Sequence, residues 1–513
     1  MWGKFSTVYL LASRLPVGSE VATRDMAKAY RTIPLHSSQW PAAVVRISDL
    51  LGCIDTSLAF GAAPSAGVYG HLADAAAQIF RHRGLGPIDK WVDDHVFFHI
   101  RKEHLADYNL TRNAWKSDIA SHAGFQHIKG RFWFAGRPLL NGASEEFNED
   151  CSSPIADLSL ASSHSLHNAS FTYSLADIDT ISNELGIPWE ICKDQPFSHS
   201  TIYIGFVWNL CERTVSLSQS KADKYIAAID TWLSRATHVL QDVSQLYGKL
   251  LHAASLIPQG RAYLIGFEHM LAVCNAKPFM PHRPDKAISS DLLWWRTAIT
   301  SGLVSLPISP PQTIVDLNAF SDASSSVGIA VVIGEQWRAW RLLPGWQTLC
   351  GKRDITWAEA IGFEFLILIL SKLIHRPSHL VVHGDNTSVV KSWWSGRHRN
   401  KEINRIFKRI HALVADSANR VSRVYTKYIP SLNNPTVPIP SHFGGLVVDY
   451  DAPITPDEVH ALSSGTLHPP AAQRIERLKR KQEARERNEL LCKQHTLRRL
   501  RSEKATPDSI PLQ

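Results

Sequence analysis

The sequence predicts an α+β protein with more than one domain, and three observations lead to this class. The chain has 513 residues, which is too long for one hydrophobic core, so two to four domains are expected. Hydrophobic residues make up 44% of the chain and charged residues 20%, which is typical of a globular protein. Strand-like and helix-like segments alternate densely from Ser19 to about Ile128, and again from the Pro-rich "LPISPPQ" (306–312) to about His442.

The sequence contains no pattern typical of a membrane-spanning or secreted protein. Its longest apolar run, "FLILILSKLI" (365–374), is shorter than the roughly 20 residues that cross a bilayer as a helix. The N-terminal "VYLLA" is too short for a signal-peptide core. The seven cysteines are scattered and form no CxxC pair, so they are expected to be free buried thiols. We therefore expect an intracellular protein of the cytoplasm, the nucleus or both, without a membrane partner.

Positive charge is concentrated near the C-terminus. The chain has a net charge of +8, and residues 471–504 hold 12 Lys/Arg against 5 Asp/Glu, which leaves a net charge of only +1 elsewhere. Strong helix formers of mixed charge in this segment predict an exposed basic helical tail. The tail is interpreted either as a nucleic-acid-binding or nuclear-import patch or as a solvated charged helix with no such role.

Two adjacent carboxylates, Asp93 and Asp94, lie between two apolar runs in "KWVDDHVFFHI" (90–100). Alone, such a pair is typical of a hairpin turn. Upstream, Asp25 ends a short strand in "VATRDMAKAYRTIPL" (21–35), and "LAFGAAPSAGVYGHLADAAAQIF" (58–80) runs from a glycine-containing loop into a helix. Carboxylates that converge from different elements are what two-metal phosphoryl transfer requires. The sequence therefore predicts a divalent-metal site at Asp25, Asp93 and Asp94.

These segments resemble the palm motifs of retroelement reverse transcriptases, with the closest match in the DIRS-like group of fungal-type retrotransposons. The resemblance covers roughly residues 19–267 and implies an RNA-directed DNA polymerase of the nucleotidyltransferase type. "TIYIGFVWNL" (201–210) is similar to the hairpin that grips the primer, and "LYGKLLHAASLIPQGRAYL" (246–264) to the thumb that follows it. The resemblance implies metal ligands and catalytic residues at Asp25, Asp93 and Asp94, an aromatic gate against the sugar 2′ position at Tyr30, and further substrate contacts at Phe60, Gly61, Tyr203 and Gly205.

A second set of acids lies beyond the Pro-rich segment. Asp322 is on a strand in "NAFSDASSSVGIAVVI" (318–333), Glu359 lies in the first turns of a helix that we expect to be amphipathic, and Asp385 ends a buried strand in "HLVVHGDNTSVVKSWWSG" (379–396). The strand–helix–strand order resembles an RNase H-like domain. That family implies that the three acids hold Mg²⁺ and cleave the RNA strand of an RNA–DNA hybrid. The alternative is that they are capping or solvated residues.

The resemblance implies a set of cofactors and partners. Each active site is expected to bind two Mg²⁺ ions, with Mn²⁺ as an alternative. The expected partners are an RNA template, a DNA primer, the RNA–DNA hybrid and deoxynucleoside triphosphates.

The sequence departs from the family in two places. In "YIPSLNNPTVPIPS" (428–441), Val437 stands at the position of the family's fourth acid, and an apolar group cannot bind a hard cation. Only 24 residues precede Asp25, with Lys4 and Arg14 as the basic residues before Arg24, so we expect a truncated chain whose fingers subdomain is largely missing. Three hypotheses follow: an active reverse transcriptase, a truncated and catalytically impaired nucleic-acid-binding protein, or a surviving RNase H-like nuclease alone.

The predicted fold is therefore a polymerase palm with thumb-like helices, followed by an α/β RNase H-like domain and a basic helical tail. The expected segments are the palm (1–143), a Ser-rich surface insertion (144–175), the rest of the palm with the primer-grip-like hairpin and thumb or connection helices (176–305), a linker (306–312), the RNase H-like domain (313–450), and a loop with the basic tail (451–513).

Overall fold

The computed structural model describes residues 5–122, 125–128, 131–138, 144–147, 153–160, 165–302, 304–310, 314–325, 328–348, 352–373, 379–415, 423–436, 446–448, 463–464 and 487. Helices and sheets are mixed in this part of the chain, as the sequence predicts. The chain forms two compact units, Met1–Thr313 with Ser395–Arg397, and Ile314–Trp394 with His398–Gln513. Apart from Arg487, the predicted basic helix at 471–504 lies outside the described residues. No helix in the described ranges is long and apolar enough to cross a membrane.

The first unit contains helices and short antiparallel strands. Its α-helices are α1 (Phe5–Arg14), α2 (Ser65–His82), α3 (Leu105–His122), α4 (Leu175–Leu185), α5 (Gln219–Leu233), α6 (Leu240–Ala253), α7 (Ile265–Ala276) and α8 (Lys286–Thr300). Its strands are β1 (Glu20–Asp25), β2 (Val44–Arg46), β3 (Gly52–Ile54), β4 (Ile88–Trp91), β5 (Asp94–His99), β6 (Phe125–Ile128), β7 (Arg131–Pro138), β8 (Ser144–Phe147), β9 (Gln195–Ser198), β10 (Ser200–Tyr203), β11 (Phe206–Asn209), β12 (Thr214–Leu217) and β13 (Ser305–Pro307).

A four-stranded antiparallel sheet in the order β4-β5-β1-β9 forms the centre of this unit. Both faces of this sheet are covered by other elements. Because neighbouring residues of a strand point to opposite sides, one strand contributes side chains to two cores. On β5, Val96 and Phe98 join the core that includes α1, whereas Phe97 packs with Phe80 of α2 and Ile178 of α4. Burial on both faces explains why β1 is buried along its whole length.

A second antiparallel sheet has the order β10-β11-β12-β13. Ile204 and Gly205 connect β10 to β11 with φ values of 45° and 79°, as in the tight turns that favour hairpins. Strand β13 pairs with β12 in this sheet, so the segment predicted as a linker (306–312) begins with residues of the sheet.

Two expectations about local environment hold only in part in this unit. The sequence predicts a surface insertion at 144–175, and most described residues at 153–160 and 165–175 are exposed or half-buried, but Ile155, Phe171 and Tyr173 are fully or almost fully buried. These apolar side chains fill the core beside the central sheet, whatever the polarity of their neighbours in sequence. The cysteines were expected to be buried, and Cys274 is, but the other described cysteines are exposed: Cys53, Cys192 and Cys211.

The second unit is built on a mixed sheet with strand order β18-β17-β14-β15-β16-β19, and β20 pairs with β16. Strands β14, β17 and β18 are parallel, while β14, β15 and β16 are antiparallel. The strands are β14 (Val315–Ser324), β15 (Gly328–Ile333), β16 (Gln336–Leu342), β17 (His379–Gly384), β18 (Arg423–Tyr428), β19 (Leu446–Val448) and β20 (Ser463–Ser464). The helices are α9 (Ile355–Leu370), α10 (Thr387–Ser395) and α11 (Lys401–Ala415).

Helix α9 is the core helix of the second unit. The sequence predicts an amphipathic helix here, but this prediction is wrong, because nearly every residue of α9 is buried. The helix packs against β14 and β15 and also against α11, so it has no broad solvent face. Its two buried acids, Glu359 and Glu364, have different surroundings: Glu364 forms a two-point ion pair with Arg409, with both N–O distances 2.6 Å, whereas Glu359 lies beside other acids.

Candidate active sites

The β4–β5 hairpin places Asp93 in a two-residue turn between Trp91 and Asp94. Val92 in this turn has φ of 58°, which is a strained conformation for a β-branched residue and costs on the order of 1–3 kcal/mol. Tertiary contacts hold the turn: the carbonyl oxygen of Asp93 accepts the backbone N–H of Met26 at 3.1 Å and Nδ1–H of His95 at 3.0 Å. The strained turn therefore fixes where Asp93 lies relative to β1.

Asp25 and Asp94 lie directly opposite each other on β1 and β5, which places their Cα atoms about 4.5–5.5 Å apart. Asp93 is adjacent, so three carboxylates are gathered at one end of the central sheet. Burial, together with the charges of Asp93 and Asp25, raises the pKa of Asp94 to about 6. Burial and the charge of Asp25 also raise the pKa of Asp93. This excess of negative charge is the electrostatic condition for binding a cation.

Lys193 is a functional candidate that the sequence interpretation missed. Its ammonium group forms an ion pair with Asp25 Oδ2, and this hydrogen bond is the main reason why the pKa of Lys193 is raised. The side chain is 63% exposed, so it is free to move. The backbone N–H of Glu190 donates to the Asp25 carbonyl oxygen at 2.8 Å, which brings this segment to β1. The local sequence "CKDQ" (192–195) does not predict that Lys193 contacts Asp25.

The predicted primer-grip hairpin lies beside the same carboxylates. The hydroxyl of Tyr203, which is 3% exposed, donates to the Asp94 carbonyl oxygen at 3.3 Å. Gly205 has φ of 79°, a left-handed conformation that favours glycine.

A cleft of about 1000 Å³ extends from this hairpin to Asp25 and Asp94. It is lined by Asp25, Asp94, Lys193, Tyr203, Gly205 and Lys221, among others. The structure thus brings four of the predicted site residues to one cleft: Asp25, Asp94, Tyr203 and Gly205.

Tyr30, Phe60 and Tyr69 form an aromatic group next to Met26. The Tyr30 ring is 4.7 Å from that of Phe60 and 5.5 Å from that of Tyr69, both edge to face. The Tyr69 hydroxyl lies 2.7 Å from Met26 Sδ, and burial together with the charge of Asp93 raises the Tyr69 pKa. Gly61 follows Phe60 with φ of 86°, which favours glycine. These predicted substrate residues lie together, and Tyr69 links them electrostatically to the carboxylates.

The second unit gathers its three predicted acids more tightly. Asp322, Glu359 and Asp385 each offer a carboxylate oxygen, and these atoms all lie within 4.8 Å of one another. Asp322 is on β14, Glu359 is on α9, and Asp385 follows β17 directly. Because β14 and β17 are parallel neighbours, the two strands deliver their acids to the same edge of the sheet, where α9 supplies the third.

Electrostatics at this second site also favour a cation. Glu359 is 7% exposed, and burial together with the charges of Asp322 and Asp385 raises its pKa well above the usual range. The backbone N–H of Ala323 donates to Asp322 Oδ1 at 2.9 Å, which orients that carboxylate. Among the described residues, this is the only group of three or more His, Cys, Asp or Glu side chains whose ligand atoms all lie within 4.8 Å. The carboxylate oxygens of Asp25, Asp93 and Asp94 in the first unit therefore do not all lie this close to one another.

The segment expected to carry the fourth acid is anchored close to this site. The side-chain amide of Asn434 donates to the carbonyl oxygen of Ser321 at 3.2 Å, and Thr436 Oγ1 lies 2.6 Å from Asn434 Oδ1. Ser321 directly precedes Asp322 on β14. Val437 itself lies outside the described residues, so its predicted place at the site stays a prediction.

Asp94→Asn should stabilise the metal-free protein at neutral pH. A carboxyl group whose folded pKa is raised to about 6 lowers stability above that pH, and this cost disappears only as the pH falls from about 6 to below the unfolded value of about 4. We expect a gain of about 1–2 kcal/mol in the free energy of unfolding at pH 8, after allowance for partial solvent exposure, about half of that gain at pH 5, and almost none at pH 3. The measurement is chemical denaturation in chelator across this range. Asp107→Asn, on the exposed face of α3, is the control, and a pH-independent difference between wild type and Asp94→Asn would contradict the account.

Comparison with known proteins gives structural similarity alone. No protein-family model matches the chain, and no curated protein matches it. The foamy viral protease-reverse transcriptase bound to an RNA/DNA hybrid is similar at 10% identity and a TM-score of 0.38, over 87% of this chain and 48% of that one. A complex of the foamy viral protein with double-stranded DNA is similar at 12% identity and a TM-score of 0.36, over 84% and 71%. The chain thus spans about half the length of the first structure.

Proposed function

We propose that the chain is an RNA-directed DNA polymerase of a DIRS-like retrotransposon whose second unit is an RNase H-like nuclease. The observation that supports this best is that each compact unit has its own group of three carboxylates, Asp25, Asp93 and Asp94 in one and Asp322, Glu359 and Asp385 in the other. One such group would suit a nuclease alone. Two groups, one of them beside a large open cleft, suit a protein that both makes and degrades nucleic-acid strands.

The donor atoms of both groups fit Mg²⁺ or Mn²⁺. They are hard carboxylate oxygens that come from different elements. Burial and the charges of neighbouring carboxylates raise the pKa of Asp94 in the first group and of Glu359 in the second. Asp25, Asp93 and Asp94 would hold the ions in the first unit, and Asp322, Glu359 and Asp385 in the second. Such ions supply charge neutralisation at phosphoryl oxygens and, in the nuclease, lower the pKa of water.

In the first unit the side chains around the cleft have separate roles. Asp25 and Asp94 are fixed across two paired strands, so their carboxylates present a preformed anionic pair to the ions. The Lys193 ammonium neutralises Asp25 in the ion pair seen here and, when released, is placed to meet a phosphate in the same cleft. The Tyr203 hydroxyl and the Gly205 turn would orient the primer end, because both lie on the cleft wall beside Asp94.

In the second unit, the buried carboxyl group of Glu359 is the ligand whose position depends most on the surrounding packing. Glu359 is held by a helix that is packed on both sides, so its position cannot relax if its neighbours change. The site is proposed to cleave the RNA strand of an RNA–DNA hybrid, a substrate recognised through duplex shape and 2′-hydroxyls.

The test is a pair of assays on the full chain, in Mg²⁺ and in Mn²⁺. The first measures extension of a DNA primer on an RNA template by deoxynucleotides, and the second measures cleavage of a labelled RNA–DNA hybrid. We expect both activities. Cleavage without extension would replace the proposal with a nuclease, and the absence of both activities in either metal would overturn it.

Tyr30→Ala should weaken the discrimination between deoxynucleotides and ribonucleotides. If the ring is packed against Phe60 and Tyr69 to close off space at the sugar 2′ position, its removal opens room for a hydroxyl. We expect ribonucleotide incorporation relative to deoxynucleotide incorporation to rise at least about tenfold. Tyr30→Phe keeps the ring and is the matched control. An unchanged ratio in Tyr30→Ala would show that Tyr30 is an ordinary packing residue.

A further inference from the structure

A cluster of one carboxylate and three imidazoles lies at the end of the central sheet of the first unit that is remote from the palm carboxylates. Glu20 of β1 and His99 of β5 are direct cross-strand partners and are 3% and 0% exposed. Glu20 Oε2 lies 3.1 Å from Nε2 of His99 and 3.1 Å from Nε2 of His167. Glu20 Oε1 lies 3.6 Å from Nε2 of His199. No role in the proposed polymerase accounts for this cluster.

The hydrogen bonds of His99 indicate that a positive charge is required where its Nε2 atom faces Glu20. Nδ1 of His99 lies 2.8 Å from the carbonyl oxygen of Tyr173, which accepts only, so Nδ1 must carry a proton. A neutral imidazole then has a lone pair on Nε2, and that lone pair faces the acceptor-only carboxylate of Glu20. Two lone pairs at 3.1 Å repel, and the contact becomes favourable only when both atoms bind a cation, either a second proton between them or a metal ion to one side of the line that joins them.

The His99 ring is rigidly held in an orientation that suits metal binding. It is stacked between Phe171, with ring centroids 3.9 Å apart, and Phe197, with centroids 3.7 Å apart. Its Nδ1–H donates to a backbone carbonyl group. In metal-binding histidines, the ring nitrogen that does not bind the metal commonly makes such a hydrogen bond, which fixes the orientation of the ring. Nε2 is thereby fixed toward Glu20.

We propose that Glu20, His99, His167 and His199 form a binding site for a divalent transition-metal ion of the zinc class. Three imidazoles and one carboxylate are a ligand set that suits Zn²⁺ rather than Mg²⁺. In a tetrahedral zinc site neighbouring ligand atoms are about 3.3 Å apart, close to the three distances from Glu20. No three of these four side chains have donor atoms that all lie within 4.8 Å of one another here, so metal binding requires the exposed imidazoles of His167 and His199 to turn toward His99.

The site would act as a structural clamp. Its ligands come from β1, from β5, from the segment before Phe171, and from the connection between β9 and β10. Glu20 and His99 lie five residues along their strands from Asp25 and Asp94, roughly 17 Å away. The clamp therefore stabilises the two strands that carry the palm carboxylates without contacting substrate, and the proposal does not depend on the polymerase assignment.

The test compares metal binding by the full chain and by a double variant, His167→Asn with His199→Asn. Both side chains are largely accessible to solvent, at 62% and 49% exposed, so the variant should fold. Protein stripped with chelator is titrated with Co²⁺ and then Zn²⁺ in excess Mg²⁺, which occupies the carboxylate sites. The wild type should show the visible absorption of tetrahedral Co²⁺ and a Zn²⁺-dependent rise in melting temperature. The double variant should lose that absorption and bind Zn²⁺ at least about 100-fold more weakly.

A double variant of two exposed histidines outside the cluster, His71→Asn with His104→Asn, is the matched control for adventitious binding. It should behave like the wild type. The proposal is overturned if the cluster variant and the control bind Co²⁺ and Zn²⁺ alike. It is equally overturned if Zn²⁺ leaves the melting temperature of the wild type unchanged, because the cation beside His99 is then a proton.

Discussion

Asp25→Asn should abolish DNA synthesis by the full chain while hybrid cleavage stays within about twofold of wild type. The amide removes the negative charge that faces Asp94, and with it a ligand on which charge neutralisation in phosphoryl transfer depends. Loss of about 4 kcal/mol of transition-state stabilisation corresponds to roughly a thousandfold decrease in rate. The measurement is single-turnover primer extension in Mg²⁺ and in Mn²⁺, with Mn²⁺ titration as a second readout that does not depend on turnover.

The control for this variant is Asp107→Asn, which makes the same chemical change on an exposed face of α3. It should leave extension and Mn²⁺ binding unchanged. Extension by Asp25→Asn at more than about a tenth of the wild-type rate would show that the carboxylate is not a metal ligand. Equal loss of both activities would point instead to misfolding.

Glu359→Gln should abolish hybrid cleavage and leave DNA synthesis intact. Glu359 is buried between two other acids, and a neutral amide there still packs but cannot balance the charge of a metal ion. We expect a decrease of roughly a thousandfold in the cleavage rate. The same change should stabilise the metal-free protein, because burial and the charges of Asp322 and Asp385 raise the pKa of Glu359, and glutamine removes the unfavourable buried carboxylate. Melting in chelator measures this second effect.

Glu335→Gln is the matched control, since Glu335 lies exposed in the connection between β15 and β16. It should change neither cleavage nor melting. If Glu359→Gln cleaves hybrid at the wild-type rate, the three clustered acids are not the nuclease site. If it destabilises the metal-free protein, the three carboxylates do not repel one another as their geometry indicates.

The positions of the acids along the chain could be predicted because each ends or begins an element with a strong local pattern. Asp25 follows a buried strand, Asp93 interrupts two apolar runs, and Asp385 follows "HLVVHG". The sequence predicts where such strands end, because the change from apolar to polar residues is local. Which strands become neighbours does not follow from periodicity.

The features that could not be predicted depend on contacts between distant segments. The Lys193–Asp25 ion pair joins residues 168 positions apart, and nothing near Lys193 indicates its partner. Helix α9 is an exception, because its sequence "ITWAEAIGFEFLILIL" is apolar on nearly all sides, which is typical of a buried helix rather than of one with a polar face. Burial of Phe171 and Tyr173 does depend on distant contacts, since the serines around them suggest a surface while the sheet they cover lies elsewhere in sequence.

Val92 also bears on the order in which the chain folds. A β-branched residue at φ of 58° is unfavourable in an isolated hairpin, so β4 and β5 alone gain little from closing this turn. The turn becomes favourable once β1 has docked, because the N–H of Met26 then donates to the carbonyl oxygen of Asp93. The palm carboxylates are therefore expected to come together late, as the sheet is completed. A nascent chain on the ribosome then displays no assembled palm site to capture cations before the surrounding fold exists.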